Sequence, residues 1–287
     1  MAFYKTYKAE VFLDKRFLLG EGPAYDSRKD EILWVDIRTG TFCKWLCKEK
    51  KLEEVKTEQS IGAVVPAESG RYLAALTTGV FYLDENGLEL ICRPPELADN
   101  MRLNDAKCDP AGRFWFGTMR FFDSAPEGSL FCLDKDKNCR RMLAGPKTSN
   151  GMAWSSDRNK MYYIDSRERG VDVFDYDIDT GNITNRKRIL ETEGCVPDGM
   201  TIDDEGMLWI ALWGGSRVIR FDPESEKIIG GIPVPSVNTT SCCFAGEKHD
   251  TLIITTSGEG FDDLAAGRIY CATPGVTGSP TQLYRDI

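Results

Sequence analysis

The chain has 287 residues, 41% hydrophobic and 28% charged, with a formal net charge of -9, the balance of a water-soluble globular fold. An acidic excess without a basic stripe argues against a nucleic-acid partner, and the lack of any apolar run of about 18 residues argues against a membrane span. The opening MAFYKTYKAEVFLDKR alternates polar and apolar residues, without an apolar core or a small-residue cleavage site. It does not read as a signal peptide, so a cytoplasmic location with reduced cysteines is expected.

In chain order one phrase recurs: an opening residue, an apolar or aromatic residue four positions on, a polar turn, then an alternating strand. EGPAYDSRKDEILWVDI begins at Glu21, IGAVVPAESGRYLAALTTG at Ile61 and NDAKCDPAGRFWFGTM at Asn104. NGMAWSSDRNKMYYIDS begins at Asn150, DGMTIDDEGMLWIALWGG at Asp198 and TSCCFAGEKHDTLIITTSG at Thr240. The openings are 40 to 48 residues apart. LWVDI, RYLAAL, RFWFGTM, KMYYID, LWIAL and TLIITT are β-branched and aromatic and follow turn chemistry such as DPAG and DDEG, which marks strands. GTFCKWL, GVFYLD, GSLFCLD, GVDVFDYD, SRVIRFD and GRIYCAT supply further strands, and helical periodicity is absent. Units of this length with about four strands each predict an all-β fold, a six-bladed β-propeller forming one domain over 1–287. The ring must close to hide its strand edges, and KAEVFLD, ahead of the first unit, is expected to supply the outer strand of the sixth blade.

If each opening residue begins an innermost strand, then Glu21, Ile61, Asn104, Asn150, Asp198 and Thr240 surround one end of the central channel. Asn and Asp before Gly also serve as turn residues, but Glu21 is a poor one and shares the register. Two carboxylates at a narrow mouth repel each other and are costly to desolvate unless a cation compensates. Carboxylate and amide oxygens are the donor set of calcium, magnesium or manganese, and a partly open site can polarise a carbonyl and acidify water. The single histidine, His249, lies in the turn-like AGEKHDT, so a triad with a serine or cysteine nucleophile is not expected. Cys242 and Cys243, in an apolar run, read as buried thiols.

Several stretches together carry a family resemblance over nearly the whole chain: GEGPAYD, RLNDAKCDPAGRFWFGTM, SNGMAWSSDRNKMYYIDS, FDYDIDTGNITNR, PDGMTIDDEGMLWIALWGGSRVIRFDP and TTSCCF. The chain resembles the gluconolactonase and regucalcin (senescence marker protein) family of six-bladed propellers, and ALWGG is similar to the bacterial sugar lactonases. The resemblance implies one divalent metal held by Glu21, Asn150 and Asp198, calcium first, with magnesium, manganese, zinc and iron as alternatives. It also implies lactone-ring contacts from Arg102 and Asn104, although an arginine in such a place is otherwise a surface ion pair. Vertebrate members carry acidic residues after GTM, one of which helps hold substrate. Here RFFD, residues 120–123, has Phe121 and Phe122 in those places, so that contact loses its residue and the mouth is expected to be more apolar. Trp213 reads equally as an apolar wall for a sugar or as packing between blades.

The expected function is a metal-dependent hydrolase opening a sugar 1,4- or 1,5-lactone to the aldonic acid, with Asp198 as the catalytic residue that orients or deprotonates water. A small-molecule sugar lactone is the expected partner, with no nucleic acid, no membrane, and a monomer or weak homo-oligomer. The alternatives are a non-catalytic calcium-binding regulatory propeller and a promiscuous ester or organophosphate hydrolase.

Overall fold

The computed structural model describes residues 4–95, 97–121 and 125–287. Each repeat unit folds into one antiparallel sheet, because its alternating strands are separated only by short Gly- and Asp-bearing turns. Blade 1 comprises Gly20–Asp26, Glu31–Asp36, Thr41–Leu46 and Lys51–Lys56; blade 2 comprises Ile61–Pro66, Tyr72–Leu76, Gly79–Asp84 and Gly87–Cys92. Blade 3 holds Met101–Cys108, Phe114–Arg120, Ser129–Leu133 and Cys139–Ala144; blade 4 holds Ser149–Trp154, Lys160–Asp165, Gly170–Tyr176 and Ile183–Glu191. Blade 5 runs Val196–Ile202, Leu208–Trp213, Arg217–Asp222 and Lys227–Pro233, and blade 6 runs Thr239–Ala245, Thr251–Thr256 and Ile269–Ala272. Each first strand packs on the first strand of the next blade, and that of blade 6 packs on that of blade 1. The result is the expected six-bladed β-propeller, with a short 3-10 turn at Ser166–Glu168.

Closure follows the sequence expectation. Glu10–Leu13 pairs antiparallel with Ile269–Ala272 and becomes the outer strand of blade 6. Lys5–Thr6 adds a parallel contact to Lys227–Pro233 at the edge of blade 5. At the other terminus the tail crosses the far end of the channel. The Asp204 N–H donates to Thr277 O (2.9 Å), Gly278 N–H to His249 O (2.9 Å), Tyr284 N–H to Pro66 O (3.0 Å) and Arg285 N–H to Gly112 O (2.9 Å). With Tyr25 N–H donating to the Thr281 hydroxyl (3.2 Å), this strap touches blades 5, 6, 1, 2 and 3.

The hydrophobic core lies between adjacent blades; in one cluster Ala63 and Val65 of blade 2 meet Leu103, Phe114 and Phe116 of blade 3. Buried aspartates at the ends of inner strands pin these layers. Asp109 accepts from Ala111 N and Arg113 N (both 2.9 Å), Trp115 Nε1 (2.9 Å) and the Tyr176 hydroxyl (2.7 Å). Asp203 accepts from Trp209 Nε1 and Arg220 Nε, both at 2.9 Å. A buried carboxylate is tolerated only with several such donors, each charge-assisted bond contributing about 1.5–3 kcal/mol.

The glycine after the opening residue has a packing cause. Pairing with the second strand shifts register just there in every blade, for example between Ser149 and Met152, a bulge that turns the opening side chain toward the channel. At Gly151 an added Cβ would lie 2.6 Å from Asp198 O, and at Gly62 2.3 Å from Asn104 O. The obstacle is the backbone of the next inner strand. Gly151→Ala should therefore destabilise the fold by about 2 kcal/mol or more, read as a lower urea midpoint with an unchanged slope; an unaltered midpoint would contradict this packing account.

Candidate active site

The bulged starts of the inner strands deliver their side chains to one cavity of ≈ 220 Å³. Glu21, Arg102, Asn104, Asn150 and Asp198 all line it, and each is only 5–6% exposed. The residues singled out from sequence are thus brought together, whereas Ile61 and Thr240 do not line the cavity. Trp213 lines it and also packs against the Leu19–Ile37 cluster, so it does both things considered for it. Phe121 is half-buried and is not among the lining residues; on that blade the wall is Met119. Phe122 and Asp123 lie outside the described residues.

Hydrogen bonds divide the polar atoms of Glu21, Asn150 and Asp198. Glu21 Oε2 accepts from Gly22 N–H (2.8 Å). Asn150 Nδ2 donates to Ser166 Oγ (3.0 Å) and to Asp198 Oδ1. Asn150 Oδ1 is buried with no hydrogen-bond partner among the described residues, although a buried carbonyl oxygen normally has one. Each of the three side chains therefore uses one atom within the protein, and the amide at least has an oxygen left over.

The charges agree. Burial first, then Asp198 and Asp105, hold the Glu21 carboxyl well above its usual range, while Gly22 N–H and Arg102 oppose this. Asp198 is raised in the same direction by burial and then Asp105, against Asn150 and Arg102. Asp105, one step further along the channel, is itself raised by burial and opposed by Lys107. Carboxylates buried this close together are stabilised in their charged form by a cation among them, as Arg102 partly does. Among the described residues no group of three or more His, Cys, Asp or Glu is arranged for a metal; this set has two carboxylates and an amide. A hard divalent ion fits such oxygens.

Arg102 Nη1 donates to Leu103 O (3.0 Å) and Asn104 Oδ1 (2.7 Å), and Asn104 Nδ2 donates to Ser149 O (2.9 Å). Asn104 thus orients Arg102 as much as it faces the cavity. A larger cavity, ≈ 270 Å³, lies beyond Asp105 at the other ends of the inner strands, beneath Ser279–Gln282 of the tail. Its ammonium, Lys107, is tied to Met200 O (2.6 Å). The mouth cavity has the convergent free groups, so it is the candidate site.

Sequence reasoning missed Ser166, Asp105, Arg38 and Arg167. The last two line the cavity and each stands two residues after a strand-ending aspartate, in VDIR and IDSR. That shared register was the available signal. His249 is half-buried, edge-on to Tyr25 at 5.6 Å, and lines neither cavity. The cysteines are free, and burial raises the Cys243 thiol to about 12.

A six-bladed propeller with a nest of hard oxygens and a buried arginine at one channel mouth can hold an ion and a small polar molecule together. The chain belongs to the SMP-30/Gluconolactonase/LRE-like family, whose model matches residues 19–258. Regucalcin from Bos taurus is 37% identical to it, across 97% of this chain and 99% of the relative. A luciferin-regenerating enzyme superposes with a TM-score of 0.91 at 32% identity, covering 96% of this chain and 99% of that one. A regucalcin from Agrobacterium tumefaciens, described as a calcium-binding protein, shares the fold with a TM-score of 0.93 at 24% identity, over 99% and 100% of the two chains.

Ser166, together with Asp198, fixes which way the Asn150 amide faces. Ser166→Ala should weaken divalent-ion binding about tenfold, the usual scale for losing a group that orients a ligand. Melting temperature as a function of calcium concentration reads this directly, and wild-type affinity in the variant would remove Ser166 from that role.

Proposed function

We propose that the protein is a divalent-metal-dependent lactonase that hydrolyses a sugar 1,4- or 1,5-lactone to the aldonic acid. The observation that carries the reading is Asn150 Oδ1, without a hydrogen-bond partner among the described residues, beside Glu21 and Asp198 in a cavity shared with Arg102, in a chain of the gluconolactonase family. Glu21, Asn150 and Asp198 would hold the ion, calcium first, with magnesium, manganese, zinc or iron as alternatives. Bound there, such an ion supplies Lewis acidity toward a carbonyl oxygen and lowers the pKa of water.

The chain's own groups account for the rest. Asp198 uses Oδ1 to accept from Asn150, which fixes the carboxylate and leaves its second oxygen to face both the ion and a water. Burial and Asp105 raise its basicity, the direction a general base needs. Water adds to the lactone carbonyl carbon, its proton passes to Asp198, and the ring C–O bond breaks. The same proton can then return to the departing ring oxygen, leaving a hydroxy acid. Arg102, held by Leu103 O and Asn104, keeps N–H groups for ring hydroxyls. Met119, Trp213 and Ile37 line the cavity and limit competing water.

The calcium-binding description of the Agrobacterium relative favours a second reading, ion binding without turnover. The oxygen nest suits both readings; the buried, oriented Arg102 favours the enzyme, since a cation buffer gains nothing from a guanidinium beside its ligands.

A panel of sugar lactones with a pH-indicator readout tests this. Exhaustive chelation should abolish turnover and a divalent ion restore it; full activity in protein free of metal by elemental analysis would refute the metal role. Asp198→Asn keeps an oxygen ligand and should lower kcat by about two orders of magnitude, so near-normal turnover would exclude it as base. Sugar lactones should exceed paraoxon in kcat/KM by about a hundredfold, the scale of one or two buried hydrogen bonds. Arg102→Ala should erase most of that gap.

A further inference from the structure

The repeat contains a second matched pair that the lactonase reading leaves unused. The second strand of blade 1 runs into Asp36-Ile37-Arg38, and that of blade 4 into Asp165-Ser166-Arg167. The two aspartates act alike. Asp36 accepts from Leu18 and Leu19 N–H at 3.0 and 3.1 Å, and Asp165 from Lys147 and Thr148 N–H at 2.9 and 3.0 Å. Arg38 and Arg167 therefore occupy equivalent places on blades that face each other across a six-membered ring, and both line the mouth cavity.

Folding does not explain them. Arg38 Nε donates to Glu259 at 3.0 Å, but both side chains are 43% exposed, and a screened pair of that kind contributes little. The carboxylate next to Arg167, Glu168, is taken by Lys147 at 2.6 Å, and no ion pair forms on Arg167 among the described residues. Arg38 is also near enough to Arg102 to matter: burial, and after it the Arg38 guanidinium, pull Arg102 down to about 10. Like charges kept at a pocket are a mark of a ligand that offsets them. Three guanidinium groups line the cavity with two carboxylates, Glu21 and Asp198, and Glu259 stands against Arg38. Arg167 is left as a rim cation with no carboxylate on it among the described residues, a local attraction for anions in a molecule that carries -9.

We propose that Arg38 and Arg167 make this a site for anionic lactones, sugar lactones that carry a second acidic group, a carboxylate or a phosphate, away from the ring ester. The inference rests on the lactonase reading. A neutral sugar offers a guanidinium only hydroxyl groups, whereas a carboxylate or phosphate accepts two charge-assisted bonds from it. With the ester at the oxygen nest, the charged end of such a substrate would reach the rim.

The test compares kcat/KM for glucono-1,5-lactone, its 6-phosphate ester and glucaro-1,4-lactone, at low salt and at about 0.5 M salt, in wild type and in Arg38→Gln/Arg167→Gln. Wild type should prefer at least one charged lactone by about tenfold, mainly through KM, with the margin shrinking in salt. The double variant should lose the margin; the two charged arms separate phosphate from carboxylate recognition. Neutral and charged lactones used equally by wild type, or a margin that survives in the variant, would overturn the inference and leave the lactonase reading standing. If no lactone is hydrolysed, that reading fails instead, and calorimetric titration with gluconate, glucarate and 6-phosphogluconate decides the anion site. Glucarate and 6-phosphogluconate both binding wild type no tighter than gluconate, or binding the variant equally well, would overturn it.

Discussion

Closure of the ring is the constraint on which everything else rests. Glu21, Asn150 and Asp198 belong to blades 1, 4 and 5, and no local element brings them together; only six sheets meeting edge to edge around a channel do so. Two features hold that geometry. The four-residue strand Glu10–Leu13 completes a blade otherwise made from the opposite end of the chain. Along the channel, Gly62 and Gly151 leave room for the backbone of the next inner strand to approach, so the radius is set by main chain rather than by adjustable side chains. A site assembled this way is positioned by the whole domain, which suits a cation that needs several oxygens at fixed separations.

Structural and chemical roles sit at opposite ends of the inner strands. The start carries groups whose bonding is left incomplete, as at Asn150 Oδ1. The end carries aspartates whose bonding is saturated, as at Asp109 and Asp203. Both are buried carboxyl or amide groups in the same repeat. The contrast shows why burial alone is a poor guide to function: the number of donors already committed is what separates a fold-stabilising carboxylate from one available to a ligand.

Much of this was legible in the sequence, for a physical reason. A propeller repeats one set of backbone constraints, so turn chemistry and strand alternation recur in register, and residues aligned by the repeat become neighbours in space. That is how Glu21, though unlike Asn150 and Asp198 in type, could be grouped with them. The strand of KAEVFLD was legible because an unpaired edge had to be covered. Arg38 and Arg167 escaped notice because the register was followed only at the first strand, and not two residues past the aspartate that ends the second. Ser166 acts through Asn150, a link that no periodicity encodes. Asp105 occupies the place where four of the other units have glycine, and only the packed channel shows it beside Glu21 and Asp198. The tail, PGVTGSPTQLY, has no alternation at all; its hydrogen bonds go to five different blades, an arrangement without a local signature.

That tail changes how the molecule should come apart. A stack of repeats held only by neighbour contacts can fray inward from either end, one unit at a time. Here the first strands are sewn into blades 5 and 6, and the final residues are anchored at the opposite face on blades 1 to 3. Among the described residues, the segments from which unzipping would start are thus both fastened to distant blades. Opening any blade strains the fastening of another, so the barrier to losing one is close to the barrier to losing all. Such a protein resists proteases that wait for a loose terminus, and its lifetime depends on the rate of one rare, global opening rather than on the weakest blade.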